Sequence, residues 1–491
     1  MRIVYHVNLP TLEGIDKKMK LNKILLWSLL GVCVGWVGMW IFRVIGAIGQ
    51  PQIEYSEGWN MYIASLFGKG EWQWQMASGP PYTVSFYTPV WYFIMGKITN
   101  IFGSSLVVGR IFNLLCTGAD MMMVFSIVQH FTKDKLIAVI AALLPITAAT
   151  MIGWSMYIRV DMLAILFELV GFYLFIRLYE KKSIYFLLSI PFYLLAIFTK
   201  QSIAAAAVAC TLYLFIQNRK LGVAYGGLLL LLGLAIFATA DKLTGGDFYR
   251  EVILYQRTVP AIRNIGEVIS VIMTSMILFL PHCVMAVWFI KEQLTHVVSI
   301  LIVSAFILNS ISLLHPGGNV NYFFETIFTL SIGAGLFLPT ILQYQGKAIN
   351  MIGTSVCFLI MLLVYNFMFG IFPDKGFTAR CRTAESLIAD ASYPIMTENA
   401  GLVLDAGKVP YYEPFVFNNL TQLGYFDGNK VLHDLTSNRI EYVITQYKLP
   451  YDTIYRFDNE LQTAIANNYH IIYDTTDFQY CFVVYEANNR R

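Results

Sequence analysis

The sequence predicts a polytopic α-helical membrane protein of about eleven transmembrane helices with a small α/β extracytoplasmic domain at its C-terminus, on the rule that ~20 apolar residues cross a bilayer. Three observations predict it. Hydrophobic residues make up 57% of the chain and charged residues only 13%, at a mean hydropathy of +0.58, whereas a soluble globule carries roughly a quarter charged residues. The apolar residues fall in long runs. From Asp374 onward the composition turns to that of a soluble domain.

Taken in order, the expected spans are 24–48, 106–128, 136–153, 162–179, 185–198, 202–216, 224–240, 268–290, 297–314, 323–342 and 349–372. Residues 1–23 carry Lys17, Lys18, Lys20 and Lys23 ahead of an apolar run too long for a signal-peptide core, so the first span reads as a retained anchor. Placing the N-terminus in the cytoplasm makes every inner loop short and basic, with Lys133, Lys135, Lys181, Lys182, Arg219, Lys220, Lys291 and Lys347 inside. The membrane domain is then 24–373, with an extracytoplasmic first loop at 49–105, and 374–491 lies outside in what is expected to be a plasma membrane. Within the first loop, 53–68 and 89–102 read as helices lying on the interface, and a continuation of the second into a further span is the alternative.

In 374–491 the runs GLVLDAG, EYVITQY, HIIYDTT and YCFVVYE read as strands alternating with helices near 380–391 and 455–468. No P-loop, GxGxxG, HExxH or GxSxG motif occurs there. The net charge of +3 and the lack of a basic face argue against a nucleic-acid partner. Seven cysteines without a CxxC pair indicate neither zinc nor a dithiol, and a Cys381–Cys481 disulfide is chemically allowed outside the cell but not fixed by sequence. Asn419-Leu420-Thr421 is a glycosylation sequon.

Polar residues gather at the outer turns. Glu54 and Glu57 stand in PQIEYSEGWNMY after the first span, Arg110 opens the second, and Arg159 and Asp161 open the fourth. Lys200 lies between the fifth and sixth, and Asn319, Asn321 and Tyr322 precede the tenth. Each alone is explained as a solvated or snorkelling group; together they describe a site for an anionic, lipid-attached substrate. Deeper in the bundle, Asp120 reads as a satisfied structural acid. Glu168 reads as an interhelical hydrogen bond or a lining of the lower cavity.

EGWNMYIASLFGKGE, YTPVWYFIMGKITNIFGSSLVVGRIFN, RVDMLAILFELVGFYLF, FTKQS and GGNVNYFFE, in this order, resemble the GT-C glycosyltransferases that use polyprenyl-phosphate sugars, in the branch of the aminoarabinose transferases and protein O-mannosyltransferases. The chain departs from familiar members in having Glu for Asp in the first loop. It also has Tyr87-Thr88-Pro89 where some relatives carry a phosphate-binding Lys, and no pair of adjacent acids. The resemblance implies an inverting transfer to a lipid, glycan or protein acceptor, with Glu57 as general base and Glu54 as its rival. Lys200 would bind the donor phosphate, helped by Arg159 and Tyr322, while Asp161 orients Arg159 or holds a divalent metal. Asn319 and Asn321 would hold sugar hydroxyls, with Arg110 at the same level. A lipid-linked glycan flippase or transporter, and an accessory membrane protein, are the alternatives.

Overall fold

The computed structural model describes residues 16–72, 74, 76–148, 150–257, 264–315, 317–343, 374–450, 456–478 and 480–488. In chain order the helices that build the site are α1 (Asp16–Ala47), α2 (Ser56–Lys69), α3 (Val90–Phe102), α4 (Leu106–Thr132), α5 (Lys135–Thr147), α6 (Met151–Trp154), α7 (Asp161–Glu180), α8 (Ser189–Ile197), α9 (Ala205–Gln217) and α10 (Arg219–Leu243). Among the described residues, five segments are long and apolar enough to cross a membrane: Leu26–Ala47, Leu106–Thr132, Asp161–Glu180, Arg219–Leu243 and Val320–Thr340.

The remaining expected spans are shorter or broken. The third ends as α5 just past Pro145 and resumes as the single turn α6, because proline disrupts the hydrogen-bond ladder. The fifth begins as a 3-10 turn, Ile184–Leu188, before α8, and the sixth and ninth are the short helices α9 and Val297–Ser312. The eighth divides into Ile265–Leu278 and Leu280–Glu292. At 1.5 Å per residue a 13-residue helix such as α5 or α9 covers about 20 Å, short of the ~30 Å hydrocarbon core. The expected eleventh span at 349–372 lies outside the described residues.

The first loop forms the two expected helices, and they pack on each other through glycine. A Cβ on Gly96 would stand 2.5 Å from the Ala64 carbonyl oxygen, and one on Gly68 would stand 2.3 Å from that of Gly96. α3 stops after Phe102 at Gly103, whose φ is +86°, and does not continue into a further span.

Beyond Asp374 a four-stranded sheet is ordered β1-β2-β4-β3, with β1 (Met396–Thr397) parallel to β2 (Tyr442–Thr445). β4 (Val483–Ala487) runs antiparallel to both β2 and β3 (Tyr469–Asp474). The GLVLDAG run is a helix, Ala400–Asp405, and not a strand. The Asn399 side chain caps it by accepting from the Leu402 amide, and a four-letter apolar run does not distinguish the two states. Asn419 is buried in the helix Pro414–Gln422 and donates to the Phe415 carbonyl at 2.8 Å, so the sequon is closed to modification in this fold. Cys381 and Cys481 are both free.

The two parts share a core. Tyr82 and Val84 of the first loop are buried among Met396, Tyr411, Phe417 and Phe426 of the sheet domain, and the Tyr82 amide donates to the Tyr411 carbonyl at 2.9 Å. Gln52 Oε1 accepts from the amides of Gly58 (3.1 Å) and Gly401 (2.6 Å). A Cβ on Gly58 would lie 2.2 Å from the Gly401 nitrogen, so only glycine permits the approach.

Candidate active site

Arg110 and Glu57 hold the first loop in place. Arg110 Nε donates to Glu57 Oε1 at 2.8 Å and Nη2 to Oε2 at 2.7 Å. The remaining guanidinium donors reach the carbonyls of Ala47, Ile48, Gln50 and Pro51 at the exit of α1. Glu57 Oε2 also accepts from the Ile53 and Glu54 amides at 2.9 and 3.2 Å. A cation thus sits at the C-terminus of α1 and an anion in the first turn of α2, each matched to its helix dipole. Both side chains have zero exposure.

A cavity of about 260 Å³ opens between the first loop, the turns before α7 and after Val297–Ser312, and the sheet domain. Glu54, Ser56, Tyr87, Trp154, Arg159, Asn319, Asn321, Tyr322 and Glu413 are on its wall. Glu57, Arg110, Asp161 and Lys200 are not among its lining residues. The first-loop carboxylate facing the space is therefore Glu54, three residues before the one expected. The cation facing it is Arg159.

Arg159 is the hub. Its Nη1 donates to Glu54 Oε1 at 3.1 Å and to Ser56 Oγ at 2.9 Å, Nη2 to the Tyr87 hydroxyl at 3.3 Å, and Nε to Asp161 Oδ2 at 3.3 Å. Its guanidinium carbon lies 5.3 Å from the Trp154 ring centroid, a cation–π distance. Asp161 Oδ1 in turn accepts from Lys200 Nζ at 2.6 Å and from Asn321 Nδ2 at 3.0 Å. Lys200 stands behind this pair, with its Nζ 4.3 Å from the Tyr322 ring centroid. The donors around Asp161 are a guanidinium, an ammonium and an amide, which suits it to orienting Arg159. Among the described residues no group of three or more His, Cys, Asp or Glu is placed to hold a metal ion.

The turn that carries Lys200 is pinned from behind. The Ala205 and Ala206 amides at the start of α9 donate to Glu325 Oε1 at 2.9 Å and Glu168 Oε1 at 2.6 Å. Glu168 thus makes an interhelical hydrogen bond and is not among the residues lining this cavity. Asp120 differs from the satisfied acid expected: it is fully buried and neither oxygen has a hydrogen-bond partner among the described residues. The loop at 82–88 is held by Glu251, whose Oε2 accepts from the Ser85 amide at 3.0 Å. Burial pushes the Glu251 carboxyl well above its ordinary range.

The structure brings Glu54, Arg159, Asp161, Lys200, Asn321 and Tyr322 into one network or its immediate contact. Asn319 is exposed at the rim, with its Oδ1 accepting from the Val320 amide at 2.8 Å. Buried Asn321 keeps an Oδ1 without a partner among the described residues. Sequence reasoning missed Ser56, Tyr87, Trp154 and Glu413. For Tyr87 and Trp154 the signal was the aromatic flanking each outer turn; Glu413 stands far along the chain in a different domain and gave none.

The architecture is shared with solved membrane enzymes. ArnT from Cupriavidus metallidurans bound to undecaprenyl phosphate superposes with a TM-score of 0.61 at 12% identity, over 93% of this chain and 98% of that one. The fold is GT-C. The oligosaccharyltransferase of Archaeoglobus fulgidus, in its complex with zinc and sulfate, shares the GT-C fold at a TM-score of 0.54 and 11% identity, over 94% of this chain and 73% of its own. The AglB form of that enzyme with an inhibitory peptide and a dolichol-phosphate gives 0.50 at 11% identity, over 95% and 74%. Residues 86–240 match the model of the dolichyl-phosphate-mannose-protein mannosyltransferases, a stretch that runs from the Tyr87 loop through α10. No curated protein matches by sequence. The shared fold and the five long apolar helices among the described residues are those of a multi-pass membrane protein.

Proposed function

We propose that the chain is an integral-membrane glycosyltransferase that moves a sugar from a polyprenyl-phosphate-linked donor to an acceptor at the extracytoplasmic face, with inversion at the anomeric carbon. The observation that carries this reading is the pairing of a carboxylate and a guanidinium, Glu54 and Arg159, on the wall of one cavity beside the membrane helices. The basic inner loops support the orientation, with the N-terminus cytoplasmic and 374–491 outside.

Glu54 offers Arg159 Nη1 a single oxygen, since its Oε2 is occupied by Ser56, whereas the donor phosphate presents several anionic oxygens to the guanidinium fork. When the phosphate takes that donor, Glu54 is released to accept a proton from the acceptor hydroxyl or amine. The acceptor's lone pair then forms the new bond to the anomeric carbon as the carbon–oxygen bond to phosphate breaks. The electron pair leaves on the phosphate, where Arg159 neutralises it. Asp161 keeps Arg159 aimed, and Lys200 holds Asp161 in place. The base role thus passes from Glu57 to Glu54, and first contact with phosphate from Lys200 to Arg159.

Purified protein in lipid nanodiscs, given radiolabelled polyprenyl-phosphate sugars and membrane acceptors, tests the reading. Transfer of label that is lost in Glu54→Gln is the expected result. In sealed vesicles, translocation of the intact donor without bond cleavage identifies a flippase and overturns the proposal.

A further inference from the structure

Among its described residues the sheet domain reaches the cavity with one carboxylate, Glu413. It caps the helix Pro414–Gln422: Oε2 accepts from the Val416 amide, while Oε1 is buried with no hydrogen-bond partner among the described residues. A cap uses one oxygen, and the preferred cap residues are the shorter Ser, Thr, Asp and Asn. The second oxygen therefore exceeds what the helix end requires, and an unpaired buried acceptor carries a desolvation penalty.

The surroundings limit what can pair with it. The Tyr55 hydroxyl of the first loop faces the carboxyl and accepts from the Phe415 amide at 3.4 Å, and the Tyr55 ring carries Arg456 at 4.3 Å. Arg456 is itself bonded to Glu398 at 3.0 Å and to the Gln446 side chain at 2.8 Å. Glu54, Arg159 and His315 share the cavity wall. Among the described residues Glu54 and Glu413 are the two carboxylates lining it. Glu54 is bonded to Ser56 and Arg159, so Glu413 is the one with an acceptor to spare. In its ionised form the carboxylate repels a phosphate by like charge and favours a group that donates a hydrogen bond.

We propose that Glu413 selects the sugar: its Oε1 accepts a hydrogen bond from a hydroxyl of the sugar on the lipid-linked donor, while the phosphate lies toward Arg159. The assignment rests on the glycosyltransferase reading and adds the part of the substrate that the sheet domain recognises. It also carries a pH signature. Burial pushes the Glu413 carboxyl up to about 7, against the Tyr55 hydroxyl, the Val416 amide and Arg456. A hydroxyl donor favours the ionised form and lowers that value in the complex. Sugar-dependent affinity therefore rises as pH climbs toward 7 and levels off above it.

The test measures binding of undecaprenyl phosphate and of undecaprenyl phosphates carrying a hexose, a pentose or an amino-pentose to the full chain in nanodiscs. Wild type binds one sugar-bearing member more tightly than the bare carrier. Glu413→Gln keeps an oxygen for the Val416 cap, and it loses about ten-fold on that member and nothing on the bare carrier. The rise of the sugar-dependent gain with pH is also lost in the variant. An unchanged, pH-dependent preference in Glu413→Gln overturns the assignment, whether Glu413 then serves the acceptor or only its helix. If Glu413→Gln loses carrier binding as well, Glu413→Asp, which keeps both charge and cap, decides by whether its preference weakens. If wild type shows no member above the bare carrier, the glycosyltransferase reading fails first and the assignment falls with it.

Discussion

Two acid–guanidinium pairs stand three residues apart at the entrance to α2, and they do opposite things. Glu57–Arg110 is sealed, with zero exposure on both sides and its donors spent on the carbonyls leaving α1. Glu54–Arg159 has 15% and 13% side-chain exposure and borders open space. The first pair has every polar atom engaged within the fold and can offer nothing to a substrate without breaking the loop. The second is joined by a single hydrogen bond, Arg159 Nη1 to Glu54 Oε1, which an incoming phosphate can replace. A buried ion pair with all its partners is a brace, and a cavity-lining one is exchangeable.

The largest expected effect separates the two directly. Glu54→Gln is expected to lower kcat for sugar transfer by about 10³-fold, in the range of a lost general base, with thermal unfolding unchanged. A loss under ten-fold would remove Glu54 from the chemistry. Arg110→Ala leaves Glu57 buried without its cation and is expected to cost about 3–5 kcal/mol of stability. That loss is read as a fall in Tm in detergent or nanodiscs; an unchanged Tm shows that the clamp is not a brace.

Glu57→Gln preserves shape and one acceptor for the Ile53 and Glu54 amides, so about 1–3 kcal/mol of stability is expected to go, with transfer reduced less than ten-fold. If this variant instead folds normally and is inactive, the base role returns to Glu57. Lys200→Ala has the smallest expected effect. Asp161 keeps Arg159 and Asn321, and carrier affinity, measured by undecaprenyl phosphate titration, falls by roughly 1 kcal/mol, the worth of one hydrogen bond. A hundred-fold loss would put Lys200 in direct contact with the phosphate.

Much of the site's membership was legible before any coordinates. Arg159, Asp161, Lys200, Asn321 and Tyr322 belong together because polar residues at the turns on one side of a helical bundle come to one level. Which member faces the cavity was not legible. Glu54 and Glu57 share a loop and a residue type, and only the docking of Arg110 onto the end of α1 turns one inward. The GLVLDAG segment failed for a related reason: its helix is fixed by the Asn399 cap and by the contact of Gly401 with Gln52 and Gly58, both beyond the reach of periodicity.

By itself the sequence determined the helical membrane class, the two helices of the first loop and the mixed strand and helix content beyond Asp374. Hydropathy and periodicity depend on residues near one another along the chain. Only the tertiary structure decided that Glu57 braces while Glu54 faces the cavity, that Lys200 stands behind Asp161, and that Glu413 joins the wall from another domain. Those assignments depend on which partner desolvates each charge, and the partners lie 53, 105 and 39 residues away along the chain for Glu57, Glu54 and Lys200.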